Sequence, residues 1–191
     1  MFFLRQPSTG DVDRFLTASM KCPLSYTGTD IGAAHGFAVD ELSDVVGQGP
    51  RDFEYACDAL RSWEQFRLGW LAVFPHDARA DPGTTLVVRI RHLGFWSLNG
   101  ARVVSREESP GCRFAVAYGT LTNHAEQGEE LFEVSFDAVT GAVTYRIRAI
   151  SRPRSPLARV GGPIVRWLQA RARTASLDAM RRAVARRIAQ R

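Results

Sequence analysis

Long apolar runs are absent from this chain, and none approaches the roughly 20 residues that a membrane-spanning helix needs. Residues 1–5 are too few for the hydrophobic segment of a signal peptide, and their charge follows the apolar residues instead of preceding them. The sequence therefore predicts a cytoplasmic protein with no membrane span.

Cysteine is scarce as well. Cys22, Cys57 and Cys112 lie far apart and form no C-x-x-C pair, which argues against a structural zinc site. Three reduced thiols in or near the core are the simplest interpretation. The sequence predicts no cofactor and no metal ion.

Lysine is almost missing, since Lys21 is the only one, and the arginines are unevenly distributed. Residues 151–191 contain eleven Arg and one Asp, so the rest of the chain must be acidic to reach the overall net charge of +5. A basic end can attract nucleic acid, an anionic membrane or a partner protein. Aromatic residues, which single-stranded nucleic acid would need, are absent after Trp167. The favoured interpretation is a solvated terminal helix packed on its own domain.

The first third of the chain alternates between helical and extended patterns. Residues 11–20 can form a helix with Asp11 as its N-cap, and residues 22–36 are typical of a loop. A strand over residues 37–46 ends at Gly47-Gln48-Gly49-Pro50, which predicts a strand-to-helix turn with Pro50 in the first helical turn. The apolar spacing then predicts a helix over residues 51–65.

From Leu68 the hydrophobic period changes from 3.6 to 2, which is typical of strands. Turn residues separate the candidates, and the short connections favour an antiparallel meander. The predicted strands are residues 68–74, 84–92, 96–105, 113–121, 128–137 and 142–151.

A helical pattern returns after Pro153. Its first apolar stripe comprises Leu157, Val160, Ile164, Leu168, Ala172 and Ala175. Pro163 is expected to kink or restart this helix. A second stripe comprises Leu177, Met180, Val184 and Ile188. The two stripes point in different directions on one straight helix, so a break is expected at residues 174–176.

These elements predict one α+β domain with a curved antiparallel sheet around a long C-terminal helix. Within it, residues 1–35 form an N-terminal helix and loop, residues 36–175 the main body, and residues 176–191 a basic helical tail. Deletion of that tail is expected to leave a cooperative core.

A polar cluster lies where the strand over residues 113–121 meets the strand over residues 128–137. Its members are Tyr118, Thr120, His124, Glu129 and Glu130. Alternation places Tyr118, Thr120 and Glu130 on the apolar, concave face, and it places His92 there too. A buried carboxylate needs a partner or must stay protonated, and Arg152, Tyr118 and His124 are the nearest candidates for Glu130. The alternative is that Glu130 lies hydrated at the end of its strand.

Gly119 is conspicuous inside an otherwise β-branched and aromatic strand, and it predicts a bulge or a close approach by another backbone or a ligand.

A longer motif includes this cluster. It runs from Phe114 to Phe132 as FxxxYGTLxxHxxxGEExF, is followed by Ser151-Arg152-Pro153, and is preceded by Gly47-x-Gly49, Trp63 and Gly69-Trp70. Over roughly residues 36–180 the chain resembles a family of bacterial and plant proteins known as a domain of unknown function. That family is grouped with the START-like, helix-grip superfamily that includes the birch-pollen allergen. The resemblance implies the helix-grip fold, in which many members hold an apolar ligand between sheet and helix and some are enzymes.

The sequence leaves three functions open. The first is binding of a small hydrophobic or amphipathic ligand. Its candidate contacts are Tyr118, Thr120, His124, Glu129, Glu130, Tyr145, Arg152, His92 and Trp63. The second is an enzyme in which His124 and Glu130 perform acid–base chemistry on a substrate in the pocket. The third is an interaction module with a filled core. The sequence does not specify an oligomeric state.

Overall fold

The computed structural model describes residues 1–26, 37–153 and 162–189. Within these ranges the chain forms eight strands, three α-helices and one 3-10 turn. The strands are β1 (Phe2–Phe3), β2 (Ala38–Gln48), β3 (Leu71–Phe74), β4 (Thr85–Arg91), β5 (Trp96–Ser109), β6 (Arg113–Thr120), β7 (Glu126–Phe136) and β8 (Ala142–Pro153). The helices are α1 (Thr9–Met20), α2 (Gly49–Arg61) and α3 (Gly162–Ala189), and the 3-10 turn is Glu64–Phe66.

All strands belong to one antiparallel sheet in the order β2-β8-β7-β6-β5-β4-β3, with the short β1 pairing with β5. Consecutive strands from β3 to β8 are neighbours, so they form the predicted meander. Strand β2 returns to pair with β8 at one edge. The sheet curls into a half-barrel, and α2 and α3 pack on its concave side. This is the α+β architecture that the alternation of periods predicts.

The alternation that places Tyr118 and Glu130 on the concave face agrees with the burial of their neighbours in the sheet. Phe114, Val116, Phe132, Val134 and Tyr145 all lie in the main core between the sheet, α2 and α3. A second, smaller core lies on the other side of the sheet, where Val12 and Phe15 of α1 contact Val87 and Leu98. The outer face of β4 and β5 is therefore covered by α1.

Both predicted helix starts in the first third of the chain can be compared with the structure. Helix α2 begins at Gly49 with Pro50 in its first turn, which confirms the strand-to-helix turn. The N-cap of α1 is Ser8, not Asp11 as predicted. Asp11 instead closes a capping box, because its carboxylate accepts a hydrogen bond from Ser8 N–H at 2.9 Å while the Ser8 hydroxyl accepts one from Asp11 N–H. Residues 27–36 of the predicted loop lie outside the described residues.

The predicted break in the C-terminal helix is wrong, because α3 continues through residues 174–176. The Thr174 hydroxyl donates to Ala170 O at 3.2 Å, and the Ser176 hydroxyl bonds to Tyr145 Oη at 3.0 Å, so neither side chain caps a new helix. Of the two alternatives predicted at Pro163, a kink or a new helix start, the second agrees with the structure: Pro163 lies in the first turn of α3, where its missing N–H breaks no helical hydrogen bond. Leu157 and Val160 of the first stripe lie outside the described residues.

The two apolar stripes of α3 pack against different parts of the protein. They can therefore point in different directions without a break in the helix. Leu168 and Ala172 line a cavity above the sheet. Leu177, Met180 and Val184 are buried in the main core. Helix α3 packs against β2, β8, α2 and the 3-10 turn along its length. One continuous helix therefore accommodates the described residues of both stripes.

Arginines of the basic C-terminal part of the chain form ion pairs with acidic residues of the earlier part along α3. Arg173 contacts Asp40 at 3.4 Å, Arg181 contacts Asp44 at 2.5 Å, and Arg186 contacts Glu64 at 3.1 Å. Each pair is partly exposed and contributes about 0–1 kcal/mol, so the pairs orient the helix more than they stabilise it. Among the described residues, no helix has the length and apolar character to cross a membrane.

Candidate functional site

A cavity of about 350 Å³ lies between the concave face of the sheet and the first half of α3. Its wall is largely apolar, with contributions from Phe66, Trp70, Ile90, Phe132, Ile147 and Leu168. Polar side chains collect at one end, where β6, β7 and β8 approach α3. The cavity is thus amphipathic, and its size is typical of sites for small molecules.

Tyr118 and Glu130 form the centre of the polar end. They are directly opposite each other on β6 and β7, and their side chains point to the same face. The Tyr118 hydroxyl donates to Glu130 Oε2 at 2.5 Å. Burial raises the pKa of both groups, and the nearby Glu130 charge adds to the rise at Tyr118. Both groups therefore hold their protons more tightly than they would in water.

Glu126 lies on the same face of β7, four residues before Glu130. Gln169 of α3 donates to Glu126 Oε1 at 2.7 Å. Burial is the main reason that the pKa of Glu126 rises to about 7, and the Glu130 carboxylate raises it further. The hydrogen bond from Gln169 and the charge of Arg173 act in the opposite direction but are weaker. Glu126 is consequently poised to exchange a proton near neutral pH.

Arg173 is the main positive charge near these acids. It lines the cavity and contacts Asp40 of β2 at 3.4 Å. Its charge lowers the pKa of Glu126 and of Glu130, though less than burial raises them. Among the described residues, neither glutamate forms an ion pair. Among the described residues that line the cavity, acidic groups therefore outnumber basic ones at the polar end.

Thr120 and His124 shape the edge of the polar end. The Thr120 hydroxyl bonds to both the N–H and the C=O of Gly128, at 2.9 and 3.1 Å, and so links β6 to β7 just beyond their last backbone pair. Nδ1 of His124 accepts a hydrogen bond from Glu126 N–H at 2.9 Å, which leaves the proton of the neutral ring on Nε2. Burial lowers the pKa of His124 to about 4. His124 is therefore neutral at physiological pH.

His92 and Glu129 also border the cavity. His92 follows β4, shares a hydrogen bond with the Ser97 hydroxyl at 2.8 Å, and stacks on Phe95 with 4.5 Å between ring centroids. Burial lowers the pKa of His92 and raises that of Glu129. With Tyr118, Thr120, His124 and Glu130, six of the predicted ligand contacts line the same cavity.

Three other predicted contacts lie elsewhere. Trp63 is 3% exposed in the main core, where its indole N–H donates to Ala78 O at 2.9 Å. Tyr145 is fully buried beneath the cavity, with its hydroxyl bonded to Ser176. Arg152 bonds to the Gln127 side chain at 2.7 Å and lies over the ring of Phe37, so it does not pair with Glu130. Two of these side chains are buried in the protein and the third is at its surface, and none of the three lines the cavity.

The sequence analysis missed Glu126, Gln169 and Arg173. Glu126 was missed because the strand was predicted to begin at Gly128, whereas β7 begins at Glu126. Extending the alternation back by one pair of residues would have placed Glu126 on the inner face with Glu130. No comparable signal identifies Gln169 and Arg173, because they lie between the apolar residues of α3.

The described residues contain no group of three or more His, Cys, Asp or Glu side chains close enough to hold a metal ion together. Among the same residues, no hydrogen bond links His124 to Glu130. The groups that do interact are a phenol, two carboxyls and an amide. Such an arrangement can bind a polar head group and can donate or accept a proton.

The stability of Glu126→Gln relative to the wild type is expected to increase with pH. An acid whose pKa rises on folding from 4.5 to about 7 holds its proton more tightly in the folded state, so it contributes less stability as pH rises through that range. His124 acts in the opposite sense, because its pKa falls on folding from 6.5 to about 4 and stability is lost as pH falls through that range. Comparing the variant with the wild type isolates the contribution of Glu126 to the pH dependence of stability, because His124 is present in both proteins.

Urea denaturation at pH 5, 6, 7 and 8 measures this effect. The difference in free energy of unfolding, variant minus wild type, should rise by at least about 1 kcal/mol between pH 5 and 8. Glu107→Gln, at an exposed site, is the control and should show no such trend. A pH-independent difference for Glu126→Gln would mean that folding does not raise the pKa of this carboxyl.

Comparison with known proteins finds relatives of this chain. A UPF0548 protein from Deinococcus radiodurans is 34% identical over 187 residues, covering 90% of this chain and 92% of its own. A UPF0548 protein from Dictyostelium discoideum is 28% identical over 207 residues, covering 96% of both chains.

Solved structures with the same fold include the Zhui aromatase/cyclase from Streptomyces, with a TM-score of 0.52, 13% identity, and coverage of 80% of this chain and 96% of that one. The di-domain aromatase/cyclase BexL has a TM-score of 0.54 and 17% identity over 81% of this chain and 52% of its own. A Thalictrum norcoclaurine synthase in complex with a transition-state analogue has a TM-score of 0.52 and 10% identity over 79% of this chain and 96% of its own. These likenesses confirm the predicted helix-grip, START-like fold. Residues 25–179 match the family described as Domain of unknown function (DUF1990), and the chain belongs to that family.

Proposed function

We propose that this protein binds a small amphipathic molecule in the cavity between the sheet and α3. The observation that carries the proposal is the cavity itself, which has about 350 Å³ of space between the sheet and α3. An apolar wall favours a hydrophobic body by removing it from water. The cavity also weighs against the alternative of a module with a filled core.

The polar end would hold the head group of the ligand. Glu126, Glu130 and Tyr118 offer donors and acceptors that already have protein partners, so they are oriented before a ligand arrives. Each carboxyl has acceptor sites beyond the hydrogen bond that it already makes, so a ligand that donates to them would be favoured over a purely apolar one. The fold neighbours named as an aromatase/cyclase and as a synthase in complex with a transition-state analogue are consistent with a ligand site in this fold.

A ligand that occupies the cavity is expected to raise the melting temperature. At one hundred times its Kd, a ligand that binds only the folded state stabilises it by about 2.7 kcal/mol. For a domain of this size that corresponds to a rise of roughly 5–10 °C. The measurement is a thermal-shift screen with fatty acids, alkyl alcohols, alkyl amines and aromatic probes.

Ala172→Phe tests whether the ligand is in this cavity. Ala172 lines the cavity from α3, so a phenyl ring there would occupy the space and should abolish the shift. Ala170→Phe is the matched control, because Ala170 is on the exposed side of the same helix. An unchanged shift in Ala172→Phe, or no shift with any probe, would contradict the proposal.

The second candidate function is acid–base catalysis on a bound molecule, and the pKa of about 7 at Glu126 favours it. A carboxyl poised near neutral pH can take a proton from a carbon acid and return it. This differs from the prediction based on His124 and Glu130, because the proton-transfer group would be Glu126.

Proton exchange in D2O, followed by NMR on molecules found to bind, tests this candidate. If Glu126 is the base, the wild type should catalyse incorporation of deuterium into a bound ligand, and Glu126→Gln should be slower by about 10²–10⁴-fold. Glu107→Gln should retain the wild-type rate. Equal rates in the wild type and Glu126→Gln would exclude Glu126 as the base.

A further inference from the structure

Among the residues that the structure describes, the polar end of the cavity combines two carboxyls with few compensating positive charges. Glu126 and Glu130 are on the same face of β7 and both line the cavity. Their hydrogen-bond partners, Gln169 and Tyr118, are neutral. Among the described residues, neither carboxyl forms an ion pair.

The other titratable groups around this end do not correct the imbalance. Tyr145 of β8 lies beneath the carboxyls and is neutral, because burial raises its pKa well above the usual value. His124 is neutral because burial lowers its pKa to about 4. Arg173 of α3 is a cation that lines the cavity, but it also contacts Asp40 of β2 at 3.4 Å. When both glutamates are ionised, the site has a net negative charge.

We propose that the ligand of this cavity is a cationic amphiphile, with an apolar body against the aromatic wall and a protonated amine between Glu126 and Glu130. This inference rests on the proposed function and specifies its ligand class. An ammonium group would accept no hydrogen bonds and could donate up to three, which suits two carboxylates that have only neutral partners. It would also relieve the mutual repulsion of the carboxylates in a low-dielectric site. A carboxylate head group would add to that repulsion.

Binding of an amine is therefore coupled to loss of a proton from the protein. An alkyl ammonium keeps its proton up to a pH of about 10, so it stays charged throughout the working range. Glu126, whose pKa is about 7, must lose its proton to pair with the amine. The affinity should consequently fall as pH decreases below 7, by up to about tenfold per pH unit.

Three probes of matched chain length test the inference on the full-length protein: n-octylamine, 1-octanol and octanoate. Isothermal titration calorimetry at pH 7, in two buffers with different ionisation enthalpies, gives the affinity and the number of protons released. We expect n-octylamine to bind at least about tenfold more tightly than the other two and to release a fraction of a proton. Glu126→Gln should remove both the preference and the proton release.

Controls separate this inference from the proposed function. Glu130→Gln, which retains an acceptor for the Tyr118 hydroxyl, should weaken amine binding about tenfold, and the exposed Glu107→Gln should leave it unchanged. The number of protons released is measured on the wild type alone, so the inference stays testable if a variant fails to fold. Equal or tighter binding of 1-octanol or octanoate would overturn the inference and leave the proposed function standing. Failure of n-octylamine to bind would overturn the inference, while the wider probe screen decides the proposed function.

Discussion

Deletion of residues 176–191 is expected to abolish cooperative unfolding. The deleted segment contains Leu177, Met180 and Val184, which are at most 5% exposed in the main core. Truncating a single buried Leu or Met side chain to Ala costs about 2–5 kcal/mol. A domain has a total stability of only about 5–15 kcal/mol, so removing all three side chains together with their helix should exceed it.

Circular dichroism and urea denaturation of the truncated chain measure this outcome. Met180→Ala provides a graded comparison and should lower the free energy of unfolding by about 2–5 kcal/mol. Arg182→Ala, at an exposed position two residues away, should change it by less than about 0.5 kcal/mol. A truncated chain that unfolds cooperatively near the melting temperature of the full-length protein would contradict the expectation.

The sequence alone led to the opposite expectation, that a cooperative core would remain after the deletion. The difference arises from the residues around position 176. The sequence predicts a break at residues 174–176 because the two apolar stripes point in different directions on one helix and because Thr or Ser can cap a new helix. In the structure, Ser176 is buried and its hydroxyl bonds to the fully buried Tyr145, so the contact face of α3 passes through a polar residue. Apolar periodicity cannot detect a buried serine whose partner is far away in the sequence.

The order of the elements was predictable because each strand alternates clearly and each turn has its own marker. The inner faces of β6, β7 and β8 follow directly from that alternation, and so does the position of Glu130 beside Tyr118. The cavity was not predictable. It depends on how far α3 lies from the sheet, and that distance is set by the joint packing of many side chains.

The hydrogen-bond partners of individual polar residues could not be predicted from the sequence either. The spacing made His124 look like a partner for the neighbouring acids, yet its Nδ1 is occupied by the backbone N–H of Glu126. Arg152 looked like a partner for Glu130 but extends away from the cavity to Gln127. A difference of one position in a strand reverses the side of the sheet, so topology alone cannot assign such partners.

The sequence also could not show which glycine, Gly119 or Gly128, is closely approached by another strand. The sequence analysis singled out Gly119, but its backbone pairs regularly with Arg102 and Glu129, and the bulge lies on β5 between Val103 and Ser105. A Cβ at Gly119 would lie 2.9 Å from Cδ2 of Leu24, a side chain that can move. The predicted close approach of another backbone occurs instead at Gly128.

Gly128→Ala is expected to destabilise the protein by more than about 3 kcal/mol, because strain in the backbone is combined with a clash that no rotamer change can relieve. Gly128 has a φ of +154°, a conformation that residues with a Cβ rarely adopt. An added Cβ would lie 1.9 Å from the carbonyl oxygen of Ile150 on β8. Relief would require β7 and β8 to separate where the Thr120 hydroxyl bonds to the Gly128 backbone.

Urea denaturation measures this loss, with Gly10→Ala as the matched control. Gly10 lies in the first turn of α1 and an added Cβ there would meet nothing closer than 3.9 Å, so its substitution should change the free energy of unfolding by less than about 1 kcal/mol. Gly128 lies between Glu126 and Glu130, so separation of the strands would also move both carboxyls and weaken ligand binding. A Gly128→Ala protein within about 1 kcal/mol of the wild type would show that β8 can withdraw from this position at little cost.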